Sequence, residues 1–509
     1  MKIDRLGNAK KNIKIGLVFN GLTVLSPFIL RLIIIRTIGV EYVGLSGLFS
    51  SILNVLNLAE LGIGSAIVYS MYEPVAKENA EKTGAILKLY RDVYRVLALV
   101  VLIMGIVVMP FLPQLIKGEC PSNINIYLLY LIYLFNSLAV YIFGAYRVSL
   151  FSAYQREDVK DKVSLYVRLV IYALQFIILV FLKDYYLYAA AIAIGSVLIN
   201  VILSRKSKIY YPRIIEEGSL SKSEIKEITK GVGGLFINKI ASTIRGSFDT
   251  IFLTMYNGLV EGGKYSNYYY ILMALNGILL VFIQSIRAGI GNSLILQGEK
   301  ENYDDYMTLQ FAYMSMSSVA MILFATICQP FVRICFGSKL LLSQWTFGLV
   351  VTYLYVLKII DVNNVFIDAS GIWWKNKWAI ILEAGLNFVL DMVLGKHFGL
   401  FGIILATVVS IYICQFWMKT CICFRNLFPH KNVVKYTLWQ HLIGIVVLIS
   451  LLFGNALVKA MPINDYYVNA VVRSVLSCLL WGVLFIAIFR QNRYFDKAFR
   501  KAIEMIIKR

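Results

Sequence analysis

The first apolar stretch of the chain, residues 15–35, carries four residues that a lipid environment does not favour. They are Asn20, Thr23, Pro27 and Arg31, spaced so that an α-helix would present all four on one face. A charged side chain in hydrocarbon costs about 2.5–3.5 kcal/mol and usually faces a cavity or a partner. The pattern therefore favours a polar cavity over an arginine that only reaches for the membrane surface. Because proline removes a backbone hydrogen bond, Pro27 is predicted to act as a hinge.

The next apolar stretch, residues 43–71, has the same character, with Asn54, Asn57 and Glu60 on one predicted helical face. Asparagines in a membrane helix either line a cavity or bond to a neighbouring helix. We predict that Asn54 and Asn57 line the cavity. An intramembrane carboxylate can pair with a cation, or its pKa can rise so that it carries a proton. Glu60 is therefore a candidate for either a coupling-ion site, for Na⁺ or H⁺, or a structural ion pair.

Residues 232–256 form the most polar stretch of all. Asn238, Arg245 and Asp249 share one predicted face, and Lys239 lies beside it. Arg245 and Asp249 are four residues apart, so that they could form a salt bridge within the helix or contact a ligand. Lys239 has no acidic residue one turn away. The stretch therefore supplies further candidates for a cationic cavity, with Asp249 open to both the coupling-ion and the ion-pair interpretation.

One polar face is predicted in the second half of the chain. Glu383, Asn387 and Asp391 follow one another at intervals of four residues. They either line a cavity there or pair with Lys377 and Lys396 near the ends of the same stretch.

The composition requires that these faces lie within a membrane. Of the 509 residues, 59% are hydrophobic and only 16% are charged, and the mean hydropathy is +0.71. A soluble chain usually has about 45–50% apolar and about 25% charged residues. Fourteen apolar windows approach the roughly 20 residues that a spanning helix needs. The fold class predicted is an all-α integral membrane protein with about fourteen transmembrane helices.

The formal net charge of +21 is explained by the sidedness of the basic residues. Placing the N-terminus in the cytoplasm assigns 38 of the 50 Lys and Arg residues to that side and nine to the outer side. Such an asymmetry sets the orientation of a membrane protein. Both termini are predicted to be cytoplasmic in a multi-pass membrane protein, and no nucleic-acid partner is expected. Arg31, Lys239 and Arg245 are left inside the membrane.

A duplication is predicted from the order of the stretches. A shift of 219 residues aligns Gly44 with Gly263 and Asn57 with Asn276. The predicted organisation is an N-terminal lobe of six helices, a cytoplasmic linker, a C-terminal lobe of six helices, two additional helices and a basic cytoplasmic tail. The corresponding ranges are 1–203, 204–230, 231–420, 421–489 and 490–509.

Enzymatic and metal motifs are missing from the sequence. The seven cysteines and three histidines are scattered, and there is no phosphate loop, no His-Glu-x-x-His and no Asp-x-Asp. The predicted outer loops are short, with room for no catalytic domain. We therefore expect a protein that is not an enzyme and has neither a metal site nor a cofactor, apart from a coupling cation.

Three segments carry a resemblance to a known family. Gly39-x-Glu41-Tyr42-x-Gly44 and the later Leu58-x-Glu60-Leu61-Gly62-Ile63-Gly64 resemble the opening hairpin of bacterial polysaccharide (Wzx-type) flippases. Residues 248–250 and 263–268 resemble the start of that family's second half, and Asn387 with residues 399–407 resembles its late hairpin. The likeness covers about residues 10–425. Its superfamily includes multidrug (MATE-type) exporters and lipid II flippases.

The resemblance implies two pseudo-symmetric six-helix lobes around a central cavity, with two further helices. It implies that an undecaprenyl-pyrophosphate-linked oligosaccharide crosses from the cytoplasmic to the outer leaflet by alternating access. In such relatives basic cavity residues meet the pyrophosphate, and Arg31, Lys239 and Arg245 are the candidates here. The expected partners are the lipid-linked glycan and membrane lipid, with the protein a monomer that works beside a polymerase or glycosyltransferases. The alternatives are a MATE-like small-molecule exporter and a membrane-embedded glycosyltransferase or polymerase.

Overall fold

A computed structural model describes residues 5–60, 63–118 and 120–498 of the chain. Within these ranges, the structure describes the backbone but not the side chains of residues 5–18, 20, 59, 65, 227, 229–242, 288 and 373. Helices account for 87% of the structure, and no strand occurs among the residues it describes. The predicted all-α class is confirmed.

The chain divides into two compact units, Met1–Ser266 and Asn267–Arg509. The first unit contains helices α1 to α9 and the beginning of α10, which continues into the second unit. The bounds are α1 Arg5–Thr37, α2 Glu41–Leu56, α3 Ile63–Ala76, α4 Ala80–Val108, α5 Ile126–Ile142, α6 Ser149–Ala153, α7 Glu157–Ile177, α8 Tyr185–Tyr210, α9 Lys222–Asn257 and α10 Leu259–Ser285. The lobe boundaries proposed from the sequence stay a prediction.

The second unit continues with eight helices among the described residues. Their bounds are α11 Arg287–Leu296, α12 Glu299–Phe336, α13 Gln344–Ala369, α14 Lys377–Leu390, α15 Lys396–Ser410, α16 Met418–Leu427, α17 Val433–Lys459 and α18 Tyr466–Phe489. Single π-helical segments, Asp391–Gly395 and Ile411–Trp417, join α14 to α15 and α15 to α16. The chain turns inside α15 at Gly399, where φ is 58°. Short π segments of this kind often occur at functional sites.

The lengths and composition of the helices fit a membrane. In the described part of the chain, nine helical segments are long and apolar enough to cross a bilayer, or ten if the bent pair Ile126–Ile142 and Ala145–Ala153 counts as one. Many of their large apolar side chains are exposed, among them Leu99 and Ile142. Such a surface is stable only against lipid. The protein is a multi-pass membrane protein, and the count of fourteen spans stays a prediction.

The stretch 43–71 is divided into two helices, whereas the sequence predicted one long span. Helix α2 ends at Leu56, a 3₁₀ turn runs over Asn57–Glu60, and α3 begins at Ile63. Non-helical backbone at membrane depth must be buried in protein or line a cavity, since lipid cannot satisfy its polar groups. The break between α2 and α3 therefore indicates that the backbone around Asn57 and Glu60 is buried in protein or lines a cavity.

Two helix junctions in the first unit are built alike. Gly39 between α1 and α2 has φ 127°, and Gly258 between α9 and α10 has φ 89°, both values that favour glycine. These two residues are 219 positions apart, the shift found in the sequence. The similar backbone at equivalent positions supports an ancestral duplication.

The same shift relates two close contacts between α2 and α10. A Cβ atom on Gly44 would lie 2.2 Å from the carbonyl oxygen of Leu259, and one on Gly263 would lie 2.7 Å from that of Val40. Adding 219 converts Gly44 into Gly263 and Val40 into Leu259. The contacts are therefore reciprocal, as a local two-fold axis requires. Only glycine allows the helices to approach so closely.

Candidate functional site

Arg31 is held by the start of α10. Its side chain is half-buried in α1, and Nη1 donates a hydrogen bond to the Ser266 hydroxyl oxygen at 2.8 Å. Ser266 follows Gly263, which packs closely on the segment before α2. The glycine contacts thus position the guanidinium group within α1, the first span predicted from the sequence. Helix α1 continues through Pro27, and the predicted hinge there stays a prediction.

Asp249 lies close to the same part of α10. Its side chain is fully buried in α9, and Oδ2 accepts a hydrogen bond from the Tyr265 hydroxyl at 3.3 Å. Arg245 lies one turn earlier with a half-buried side chain. Arg31 and Asp249 are therefore bonded to adjacent residues, Ser266 and Tyr265. Near this helix junction, the guanidinium group of Arg31 can bind an anionic ligand, and the carboxylate of Asp249 can bind a cation.

Glu60 lies in a network of tyrosines. Oε1 accepts a hydrogen bond from Tyr94 of α4 at 2.9 Å, and Oε2 accepts one from Tyr141 of α5 at 2.8 Å. The hydroxyl of Tyr90 lies 2.8 Å from that of Tyr94. In the part of the chain that the structure describes, Glu60 forms no ion pair. Its carboxylate is thus stabilised by neutral donors, an arrangement that can exchange a proton or bind a small cation.

Asn57 belongs to the same network. Its Oδ1 accepts a hydrogen bond from Ser137 of α5 at 3.1 Å and lies 2.9 Å from the Tyr141 hydroxyl oxygen, whose proton is shared with Glu60. Asn54, one turn earlier, is exposed. Since the 3₁₀ turn separates them from regular helix, Asn57 and Glu60 do not follow the helical face that the spacing predicted.

The side chains of three predicted site residues lie outside the described part of the structure. They are Asn20, Asn238 and Lys239. Their assignment to the substrate cavity stays a prediction.

A charged cluster in the second unit escaped the sequence analysis. Lys358 Nζ lies 2.5 Å from Asp361 Oδ2 and 3.0 Å from the Tyr313 hydroxyl, and Tyr313 donates to the same carboxylate at 2.5 Å. The Lys358 side chain is 0% exposed. One of the fourteen apolar windows in the sequence runs from Trp345 to Ile360 and leaves Lys358 near its edge, whereas α13 continues to Ala369. The i, i+3 spacing of the pair within an apolar stretch was the available signal.

Two further buried polar groups flank this cluster. Lys419 Nζ donates to Asn364 Oδ1 and to Gln415 Oε1, both at 2.7 Å. Gln415 Nε2 in turn donates to Glu383 Oε2 at 3.1 Å. Glu383 is thereby linked to a lysine through an amide, a connection that its sequence position did not reveal.

Asn387 and Asp391, the other members of the predicted second-half face, are also buried. Asn387 Nδ2 donates to the Thr407 hydroxyl at 3.4 Å. Asp391 begins the first π-helical segment. Among the described residues, no three His, Cys, Asp or Glu side chains come together as a metal site.

The fold defines a multi-pass helical membrane protein with charged groups buried among its helices. The chain matches the family described as polysaccharide biosynthesis protein over residues 9–286. It belongs to this family, as the sequence resemblance predicted. No curated protein matches the chain.

Solved transporters share the fold. The structure titled lipid II flippase MurJ, inward closed conformation, is similar with a TM-score of 0.65 at 17% identity, covering 93% of this chain and 100% of its own. An inward-facing multidrug resistance MATE transporter of the MOP superfamily gives 0.58 at 13% identity, covering 80% and 96%. A MOP superfamily transporter from Pyrococcus furiosus gives 0.50 at 11%, covering 81% and 93%.

The family is one of polysaccharide biosynthesis, and the solved structures that share the fold are membrane transporters. The prediction that the chain is not an enzyme is confirmed on this basis, and the glycosyltransferase and polymerase alternatives are set aside. The chain is a multi-pass membrane protein of the polysaccharide biosynthesis family with the fold of these transporters.

Proposed function

We propose that the protein moves an undecaprenyl-pyrophosphate-linked oligosaccharide from the cytoplasmic to the outer leaflet of a bacterial cell membrane. The observation that carries this proposal is Arg31, a cation inside the first span that is held by Ser266 in a chain of the polysaccharide biosynthesis family. A guanidinium group presents several donors to phosphate oxygens in a fixed geometry. The pyrophosphate is the part of this substrate that such a group would bind.

The physical problem is the sugar, which cannot cross hydrocarbon because its hydroxyls would lose their hydrogen bonds. A polar cavity replaces these bonds while the lipid tail stays in the bilayer. Arg31 and Arg245, with Lys239, supply positive charge, and Asn20, Asn54, Asn57 and Asn238 supply hydrogen bonds. We propose that two lobes alternately expose this cavity to either side, with the substrate near the midplane.

Outward movement of an anionic head group is favoured by an inside-negative potential, by about 2.3 kcal/mol per charge per 100 mV. Return of the empty carrier can be coupled to a cation. Glu60, bonded only to neutral donors in the described structure, and the buried Asp249 are the proposed proton or Na⁺ sites.

Complementation tests the proposal. A bacterial strain whose own polysaccharide flippase is deleted is expected to regain surface polysaccharide when it expresses this chain together with its native glycosyltransferases. A strain that gains resistance to drugs and no surface polysaccharide would instead indicate a small-molecule exporter. That second candidate rests on the fold shared with the MATE transporter.

A further inference from the structure

A basic cavity of about 540 Å³ lies among α4, α5 and α8 of the first unit. Arg91 and Arg95 of α4 and Arg205 of α8 line it, together with Tyr141 and Tyr146. Arg91 and Arg95 precede the apolar part of α4, and Arg205 follows that of α8. The predicted topology places these ends at the cytoplasmic surface. The cavity is therefore at the level of the lipid headgroups.

The cavity keeps a net positive charge when the nearby carboxylates of Asp92 and Glu216 are included. Asp92 Oδ1 lies 3.4 Å from Arg91 Nε and 3.6 Å from Arg95 Nη1, so that one carboxylate serves two arginines. In the described structure Arg205 has neither a hydrogen bond nor an ion pair. The nearby Glu216 accepts from Tyr146 and is paired with Arg147, a buried residue outside the lining.

Exposed apolar side chains continue from each group of arginines towards the membrane. On α4, Leu99 follows Arg95 by one turn and is 57% exposed. On α8, Leu198 and Ile194 precede Arg205 by about two and three turns, and they are 42% and 51% exposed. Residues at these spacings share a helical face. The surface thus combines a cationic recess with an apolar face beside it.

We propose that this cavity binds the headgroup of an anionic membrane phospholipid, with the acyl chains along the apolar face. Arginines suit phosphate because their donors are fixed in a planar fork. Basic recesses between helices on the cytoplasmic side are typical binding sites for acidic lipids. The volume is that of a pocket for one small ligand. The exposed apolar side chains beside it can contact acyl chains, whereas a dissolved anion would make no favourable contact with them.

Binding is tested with the purified full-length chain. The apparent melting temperature is titrated with phosphatidylglycerol, phosphatidylcholine, undecaprenyl pyrophosphate, inorganic phosphate and pyrophosphate. Phosphatidylglycerol is expected to raise it through the arginines of this cavity, whereas any stabilisation by undecaprenyl pyrophosphate at Arg31 is expected not to depend on them. The single variant Arg205→Gln removes a side chain that has no partner in the described structure, and it is expected to weaken the apparent affinity about fivefold. Arg91→Gln, Arg95→Gln and Arg205→Gln combined are expected to weaken it on the order of a hundredfold.

A matched control removes three exposed basic residues of the second unit, Lys300→Gln, Arg425→Gln and Lys435→Gln, with the same change in net charge. It is expected to retain the phosphatidylglycerol effect. Equal stabilisation by inorganic phosphate or pyrophosphate that the triple arginine variant loses would overturn the proposal in favour of an aqueous anion site. Loss of the undecaprenyl pyrophosphate effect, with the phosphatidylglycerol effect retained, in the triple arginine variant would overturn it in favour of a substrate site. Unchanged lipid affinity in Arg205→Gln would also contradict it.

Discussion

The Tyr141 hydroxyl donates a hydrogen bond to the Glu60 carboxylate at 2.8 Å, while the same side chain lines the basic cavity between α4, α5 and α8. A single phenol therefore lies between an intramembrane carboxylate and a cationic recess. Because the carboxylate also accepts from Tyr94, its charge is stabilised without a lysine or arginine in the described part of the chain. This is the arrangement that a coupling site needs if it is to gain and lose a cation.

Removal of this hydrogen bond is expected to destabilise the protein. A bond to a charged group contributes about 1.5–3 kcal/mol, so Tyr141→Phe should lower the free energy of unfolding by an amount of that order. Thermal unfolding in detergent measures the effect. Tyr69→Phe is the matched control, since Tyr69 is 74% exposed. Equal melting temperatures for the two variants would show that the bond contributes nothing.

Glu60→Gln tests the coupling role separately. The amide cannot exchange a proton and binds a cation weakly, so transport by this variant should no longer respond to collapse of the proton or the sodium gradient. Surface polysaccharide in the complemented strain, measured with each gradient collapsed in turn, gives the result. A variant that responds to the gradients as the unmodified protein does would exclude Glu60 as the coupling residue.

The reciprocal glycine contacts predict that Gly44 and Gly263 cannot be replaced by a larger residue without loss of stability. Gly44→Ala would place a methyl group 2.2 Å from the Leu259 carbonyl oxygen, and Gly263→Ala would meet Val40. Both variants should be destabilised by about 1–3 kcal/mol through overpacking. Gly277→Ala, in the same helix α10 as Gly263 but with nothing within 4 Å, should be neutral or stabilised by up to about 1 kcal/mol. Similar yields and melting temperatures for all three would contradict the close approach.

The buried pair Lys358–Asp361 predicts non-additive substitutions. Lys358→Met should cost about 3–5 kcal/mol because it leaves the Asp361 charge buried without its partner. The double variant Lys358→Met, Asp361→Leu should recover much of this loss. Lys339→Met, at an exposed position, serves as the control for charge removal. A double variant less stable than Lys358→Met would show that the carboxylate does not depend on the lysine.

Glu216 predicts a loss of stability in acid. Partial burial acts to raise its pKa, but the hydrogen bond and the charge of Arg147 prevail, and the pKa lies below the usual 4.5. A carboxyl group whose pKa is lowered by folding stabilises the fold fully above its pKa in the unfolded chain. This contribution is lost as the pH falls through the lowered pKa of the folded chain. Glu216→Gln should therefore lose less stability than the unmodified chain between about pH 5 and about pH 3. The exposed Glu217→Gln should behave like the unmodified chain, and parallel curves for all three would contradict the assignment.

Much of the fold could be predicted from the sequence, because apolar length alone identifies a spanning helix. The polar face of α1 was equally visible, since Arg31 interrupts an apolar stretch. The division of the stretch 43–71 was not visible, because the partners of Glu60 come from α4 and α5, 34 and 81 residues away. Lys358 was missed because the apolar window ended before α13 does.

The transport of a lipid-linked oligosaccharide through a cavity that contains Arg31 is tested most directly in vesicles. The purified chain is reconstituted with undecaprenyl pyrophosphate bearing a labelled oligosaccharide, and the rate at which the label becomes accessible on the opposite leaflet is measured. The unmodified chain should accelerate translocation, Arg31→Gln should slow it at least about tenfold, and Arg36→Gln, an exposed position at the end of α1, should match the unmodified chain. No acceleration by the unmodified chain, or an equal rate for Arg31→Gln, would contradict the account.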